Sequence, residues 1–204
     1  MGLDADLIAF YEAEAHGRYR VALGELRTSL RSEFAALLRS EQRDGLVDVG
    51  AGPGLDTERW SADGFRVIGL DLAHANVEII RARGLGAVTG SLLGLPFRVG
   101  AFEAAWTMST LVHVPDDAVD DAMTELIRVV EPGGLIAIGT WGGRDFEGVP
   151  EVGALRPYRF FALRSHERWQ RQLGAHGSVE RFAVFEPDRT SGWEYQFAVV
   201  RTPS

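Results

Sequence analysis

The stretch LVDVGAGPGLD, residues 46–56, puts three glycines at alternate positions directly after a short apolar run. It opens into LDTERWSADG, which reads as a helix closed by Gly64. A buried strand, a glycine loop and a helix in that order place backbone N–H groups around a ligand at a helix N-terminus.

The same alternation continues outward. FRVIGLD reads as a second strand and HANVEIIRARG as a second helix, closed by Gly84. GAVTG and AFEAAWTMS follow as strands. PDDAVDDAMTELIRVVEPGG is expected to be a helix capped by Asp116 after Pro115 and stopped by Pro132, Gly133 and Gly134. LIAIGTWGG is a fifth strand, SHERWQRQLGAHG a helix that Ser165 can cap, and VERFAVFEP with GWEYQFAVVR a terminal hairpin. Alternating strands and helices imply a parallel sheet covered on both faces, to which the hairpin adds an antiparallel strand. Before the first strand the chain reads helical from about Leu3 to Ser40, with Leu23, Leu26, Leu30, Phe34, Leu37 and Leu38 drawing one apolar stripe and Gly17 as the expected break. The chain is therefore read as one α/β domain with an N-terminal helical extension.

Bulk properties narrow the function. The 204 residues carry a net charge of -8, which argues against nucleic acid as a partner. No cysteine is present, so disulfides, thiolate catalysis and zinc–thiolate sites are excluded. There is no lysine, which removes a triphosphate-loop lysine and Schiff-base chemistry. The opening MGLDADLIAF has no basic segment or long apolar core, and Asp6 stands where a myristoylation motif needs Ser or Thr. No apolar run approaches a membrane span, and a cytoplasmic location is expected.

The loop departs from the dinucleotide fingerprint, because its third glycine comes one residue early. Asp48 just before the loop would repel a pyrophosphate and attract an ammonium. Asp71 ends the second strand, where an acid accepts hydrogen bonds from ribose hydroxyls. A ligand with a ribose, an ammonium and no phosphate fits, and S-adenosylmethionine has all three features. Its carboxylate would face the helix N-terminus after Gly54.

With these residues assembled, the sequence resembles the class I S-adenosylmethionine-dependent methyltransferases, especially the small "type 11" group. VDVGAGPG is similar to the family's first motif, VIGLD to its second, and GSLLGLPF to the segment usually written G-D-x-x-x-L-P-F. AFEAAWTMSTLVHV and ELIRVVEPGGLIAIGTWGG resemble its fourth strand, following helix and fifth strand. The resemblance implies a Rossmann-like, mostly parallel sheet of seven strands with an antiparallel last strand. Residues 1–44 would be a helical lid or extension and residues 45–204 the cofactor-binding domain. It further implies a cofactor site of Asp48, Gly50, Ala51, Gly52, Gly54, Asp71, Leu72, Ser91, Leu92, Thr107 and Met108, with S-adenosylhomocysteine as product. Ser91 stands where the family usually has an acid that binds the adenine amino group. A hydroxyl there accepts without charge assistance, a difference of about 1 kcal/mol.

The chemistry implied is methyl transfer from a sulfonium to an O or N atom of a small-molecule acceptor. His113 is the candidate general base, with Tyr11 and Trp141 as further candidate acceptor-site residues. His16 and Tyr19 lie on the same N-terminal segment; Arg144 and Arg159 could pair with an anionic substrate, although a solvated surface position is expected for each, and His74, His166 and His176 read as surface or capping residues. Cytosine-C5 methylation lacks its cysteine, TMSTLVHV is not the stretch used for exocyclic amines of DNA, and no metal-ligand spacing is present. Two other readings remain: a cofactor-binding protein without transferase activity, and a nicotinamide oxidoreductase, which the glycine spacing and Asp48 disfavour. The acceptor and the oligomeric state are not legible.

Overall fold

A computed structural model of the chain describes residues 3–18, 24–149, 159–186 and 193–204. Two helices come first, α1 (Leu3–Arg18) and α2 (Glu25–Ser40). The expected break at Gly17 is displaced: Gly17 lies in the last turn of α1, and α2 begins after Gly24. Glycine is tolerated near a helix end, so it marks a boundary only loosely. Leu23 and Tyr19 lie outside the described residues.

Alternation then sets in with β1 (Gly45–Val49), α3 (Leu55–Ala62), β2 (Arg66–Asp71), α4 (His74–Arg81), β3 (Ala87–Thr89) and β4 (Phe102–Met108). A single 3-10 turn, Leu111–His113, precedes α5 (Val119–Val129) and β5 (Val130–Gly142). Short strands β6 (Phe146–Gly148) and β7 (Phe161–Leu163) pair with each other, and α6 (His166–His176), β8 (Ser178–Phe185) and β9 (Glu194–Arg201) complete the order. The main sheet has seven strands in the order β3-β2-β1-β4-β5-β9-β8. Every pair from β3 to β5 is parallel, and β9 runs antiparallel to both neighbours.

Side chains alternate between two cores, as a sheet covered on both faces requires. Val47, Val49, Ala105, Ile136, Ile138, Ala198 and Val200 face α5 and α6, meeting Met123, Leu126, Trp169 and Leu173. Leu46, Ala104, Trp106, Leu135, Ala137, Phe197 and Val199 face α2 and α3, meeting Leu30, Phe34, Leu38 and Trp60. The second face is aromatic: Phe34 stacks on Trp106 at 5.8 Å, and Trp60 meets Trp106 edge-on at 5.4 Å. Among the described residues, no helix is long and apolar enough to cross a membrane.

Two expected helix ends move for tertiary reasons, and a third keeps its place without its side-chain cap. Asp116 does not cap α5; its carboxylate pairs with Arg164 at 3.0 Å and Arg168 at 2.8 Å, and the helix starts at Val119. Pro132-Gly133-Gly134 lie inside β5, because the helix has already ended at Val129 and pairing with β4 begins at Val130 with a register shift. Ser165 stands at the start of α6 as expected, but its hydroxyl donates to Asp145 and its oxygen accepts from no helix amide.

Strand order reverses beside β1, which lies between β2 and β4, so a crevice opens at the carboxyl ends of these strands. One rim of it is pinned by Arg164, which is 1% exposed. Its guanidinium donates to the carbonyls of Leu111 (3.2 Å), Ala162 (3.3 Å) and Val114 (2.8 Å), holding the turn that carries His113. Replacing Arg164 by Met strands these carbonyls and leaves Asp116 with Arg168 alone. Arg164→Met is expected to lower the unfolding free energy by about 3 kcal/mol, measured by urea denaturation.

Candidate cofactor and acceptor site

The glycine loop folds over the end of β2. Gly50, Gly52 and Gly54 all have left-handed backbone, with φ of +72°, +56° and +82°. The amides of Gly50 and Ala51 both donate to the Leu70 carbonyl, at 2.8 and 2.9 Å. Gly50 has no room for a side chain, since an added Cβ would lie 2.0 Å from Thr110 Oγ1. Thr110 itself donates to the Val49 carbonyl at 3.1 Å, so the loop after β4 clamps the loop after β1. Beside it Ser109 holds a left-handed φ of 60°, a cost that a non-glycine residue bears only where its surroundings fix it.

Asp71 ties the loop to β2. It accepts hydrogen bonds from the Gly52 amide (2.7 Å), the Ala73 amide (2.9 Å) and the Asn76 side chain (3.0 Å). A cavity of about 590 Å³ opens above this arrangement. Its wall includes Gly50, Ala51, Gly52, Asp71, Leu72, Ser91, Leu92, Met108, Tyr11, His113 and Trp141. The structure therefore gathers most of the sequence-expected site residues around one space.

Asp48, Gly54 and Thr107 are not part of that wall. An added Cβ at Gly54 would lie 2.4 Å from Ile80 Cγ1, so this glycine lets α4 pack against the loop. Thr107 is fully buried on the face of β4 away from Trp106 and Met108. Asp48 lies beneath the loop at 1% exposure, with Thr57 donating to its Oδ2 at 2.6 Å and its Oδ1 without a hydrogen-bond partner. The expected contact between Asp48 and a ligand ammonium is thus not offered directly. Burial, and then the charge of Asp56, push the Asp48 carboxyl up to about 7, against the Thr57 hydrogen bond and Arg27.

Several wall residues escaped the sequence reading. Asp56, 1% exposed, accepts from Arg27 Nε at 2.5 Å and from Trp106 Nε1 at 2.9 Å. Arg27 comes from α2, so this buried ion pair fastens the N-terminal helices to the start of α3. Its signal was an acid in the first turn of a helix; the arginine lies 29 positions away and is brought in only by folding. Arg159, expected at the surface, also lines the cavity, with its guanidinium 4.3 Å from the Phe10 ring and 5.3 Å from the Phe161 ring. Arg144 and His74 are exposed. His166 pairs with Glu194 at 2.6 Å and His176 with Asp120 at 3.0 Å, both away from the cavity wall.

His113 lies at the far end. Its Nδ1 is 2.7 Å from the Phe160 carbonyl, which can only accept, so Nδ1 carries a proton. In the neutral ring Nε2 is then an acceptor, and the Tyr11 hydroxyl, 2.8 Å away, donates to it.

Residues 47–138, spanning the glycine loop to the middle of β5, match the family model described as a methyltransferase domain. Over these residues the chain is similar to that methyltransferase family. The chloroplastic tocopherol O-methyltransferase of Arabidopsis thaliana is 31% identical over 155 residues, 70% of this chain and 42% of the relative. The 2-methyl-6-phytyl-1,4-hydroquinone methyltransferase of Synechocystis is 32% identical over 111 residues, 52% of this chain and 34% of the relative. The chain spans about a third to a half of the length of the curated relatives it matches. A Burkholderia thailandensis 1,6-didemethyltoxoflavin-N1-methyltransferase, solved with 1,6-didemethyltoxoflavin and S-adenosylhomocysteine, superposes with a TM-score of 0.73 at 20% identity, covering 98% of this chain and 88% of that one. The methyltransferase fold, a Rossmann-like seven-stranded sheet with an antiparallel last strand, is thus the fold of this chain.

The buried Asp48 has a measurable consequence for this methyltransferase domain. Because its folded pKa lies above that of an unfolded aspartate, the folded state binds the extra proton, and stability falls as pH rises toward and through 7. Asp48→Asn is expected to stabilise the protein above pH 7, with the advantage shrinking toward pH 5, as read from urea denaturation at both pH values.

Proposed function

We propose that the cavity binds S-adenosylmethionine and that the protein transfers a methyl group to an O or N atom of a small-molecule acceptor. The observation that carries this reading is the single cavity that joins the glycine loop and Asp71 to the Tyr11–His113 pair. The names of the relatives support the reaction class: tocopherol, hydroquinone and malonyl-carrier methyltransferases all occur among them.

The residues present fit the cofactor. Gly52 lines the cavity and an added Cβ there would meet nothing within 4 Å, so its bare backbone leaves room for a ligand to approach. Asp71 also lines the cavity, and the hydrogen bonds from Gly52, Ala73 and Asn76 hold its carboxylate where ribose hydroxyls can donate to it. Ser91 and Leu92 form the adenine side. The Ser91 oxygen accepts from the Leu93 amide at 3.2 Å, so the residue shapes the turn as well as offering a hydroxyl. Ala51, Leu72 and Met108 supply apolar wall. Asp48 acts from below, through the loop it underlies. The bound sulfonium supplies an activated methyl group.

The protein's contribution is orientation and exclusion of water. Aligning the acceptor atom with the methyl carbon is worth roughly 7–11 kcal/mol. α1 and α2, in the segment 1–44, act as a lid: Leu7, Tyr11 and Glu14 of α1 and Arg27 of α2 close one side of the cavity. His113, Tyr11 and Trp141 form the acceptor end, with His113 as the proton acceptor for an acceptor group that starts protonated.

Calorimetric titration with S-adenosylhomocysteine tests the reading. Micromolar binding at one site per chain is expected, and no binding would overturn it. Asp71→Ala should weaken that binding by about 1.5–3 kcal/mol, because charge-assisted hydrogen bonds to ribose are lost. Unchanged affinity in a folded variant would remove Asp71 from the ribose site.

A further inference from the structure

Five side chains close a ring of contacts at the far end of the cavity. Tyr11 bonds His113; the His113 ring lies 5.0 Å from Phe161; Phe161 lies 5.3 Å from the Arg159 guanidinium; Arg159 covers Phe10 at 4.3 Å; and Phe10 meets Tyr11 edge-on at 5.2 Å. One short segment supplies two members of this ring, the Arg159 charge and the Phe161 side chain, and between them the Phe160 carbonyl that sets the His113 tautomer. Trp141 adds a second flat wall to the same cavity. Among the described residues Arg159 forms no ion pair, although it lines a cavity whose other wall arginine, Arg27, is matched by Asp56. A guanidinium without a carboxylate partner, gripped between two rings, is held ready for an anion.

Resting on the methyltransferase reading above, we infer that the acceptor is a hydroxylated aromatic carboxylic acid. Arg159 binds its carboxylate, the rings of Phe161 and Trp141 flank its plane, and the Tyr11–His113 pair takes its hydroxyl proton. The Tyr11 hydroxyl already donates to His113 Nε2, and Tyr11 lines the cavity. The proton of the acceptor O–H passes to Tyr11 Oη as the Tyr11 proton passes to His113 Nε2, leaving an imidazolium whose Nδ1–H stays on the Phe160 carbonyl. The electron pair on the acceptor oxygen forms the bond to the methyl carbon, and the pair of the broken carbon–sulfur bond stays on sulfur. Tyr11 is the catalytic residue of this route, and His113 positions and drives it.

The test uses the full chain saturated with S-adenosylhomocysteine, titrated with 4-hydroxybenzoate, 3,4-dihydroxybenzoate and 4-hydroxyphenylacetate and with the methyl ester of each. At least one acid is expected to bind ten times more tightly than its neutral ester, and Arg159→Gln should erase that preference. In turnover of the same acid with S-adenosylmethionine, Tyr11→Phe should lower kcat at least tenfold and leave KM within about threefold. Equal binding of acids and esters, or binding of none of them by the loaded protein, would overturn the acceptor class. An unchanged kcat in Tyr11→Phe would overturn the proton route. Failure of S-adenosylhomocysteine itself to bind would instead overturn the proposed function, and this inference with it. Its affinity in each variant also reports whether that variant has kept its fold.

Discussion

The hydrogen bond from the Gly52 amide to Asp71, 2.7 Å long, ties the ends of two neighbouring parallel strands, and the site is built outward from it. It requires a carboxylate at the end of β2 and a backbone that turns left-handed at the end of β1. With the Gly50 and Ala51 amides committed to Leu70, the loop has little freedom left. The shape of its backbone is therefore set before any ligand arrives, which is the condition for binding without a large ordering cost.

Charge burial beneath the loop supplies the second constraint. Asp48 and Asp56 are both about 1% exposed, and among the described residues one cation, Arg27, reaches them. Arg27 contacts Asp56 directly, so Asp56 keeps a partner while burial raises the pKa of Asp48. A buried ion pair adds little net stability but is costly to break. In this protein it joins α2 to α3 across the sheet face where Phe34, Trp60 and Trp106 pack, and Trp106 donates to the same Asp56 oxygen. The N-terminal helices are thereby part of the cavity wall rather than an appendage.

The two ends of the cavity differ in how they are held. The glycine end is built from backbone bonds between strands. The end that holds Tyr11 and His113 is built from side chains on α1, the 3-10 turn and the residues before β7, and is pinned by the buried Arg164. A fixed end suits a constant ligand. An end assembled from helix and loop side chains can change its specificity without disturbing the sheet, as binding loops on rigid scaffolds do.

The sequence by itself determined the strand–loop–helix order, the parallel sheet, the antiparallel final strand and the identity of the glycine loop with its acid at Asp71. These follow from period, punctuation and glycine spacing, all local properties of the chain. The start of α5 was less legible, because Asp116 was drawn off by Arg164, a partner far along the chain. The short strands β6 and β7 have three residues each, too few to show a period. Only the tertiary structure decided that Asp48 lies under the loop, that Asp56 meets Arg27, and that Tyr11, His113 and Arg159 surround one space. Tyr11 and His113 are 102 positions apart and Arg27 and Asp56 are 29 apart. Contacts at such separations are set by how helices pack on the sheet, which no local pattern of residues records.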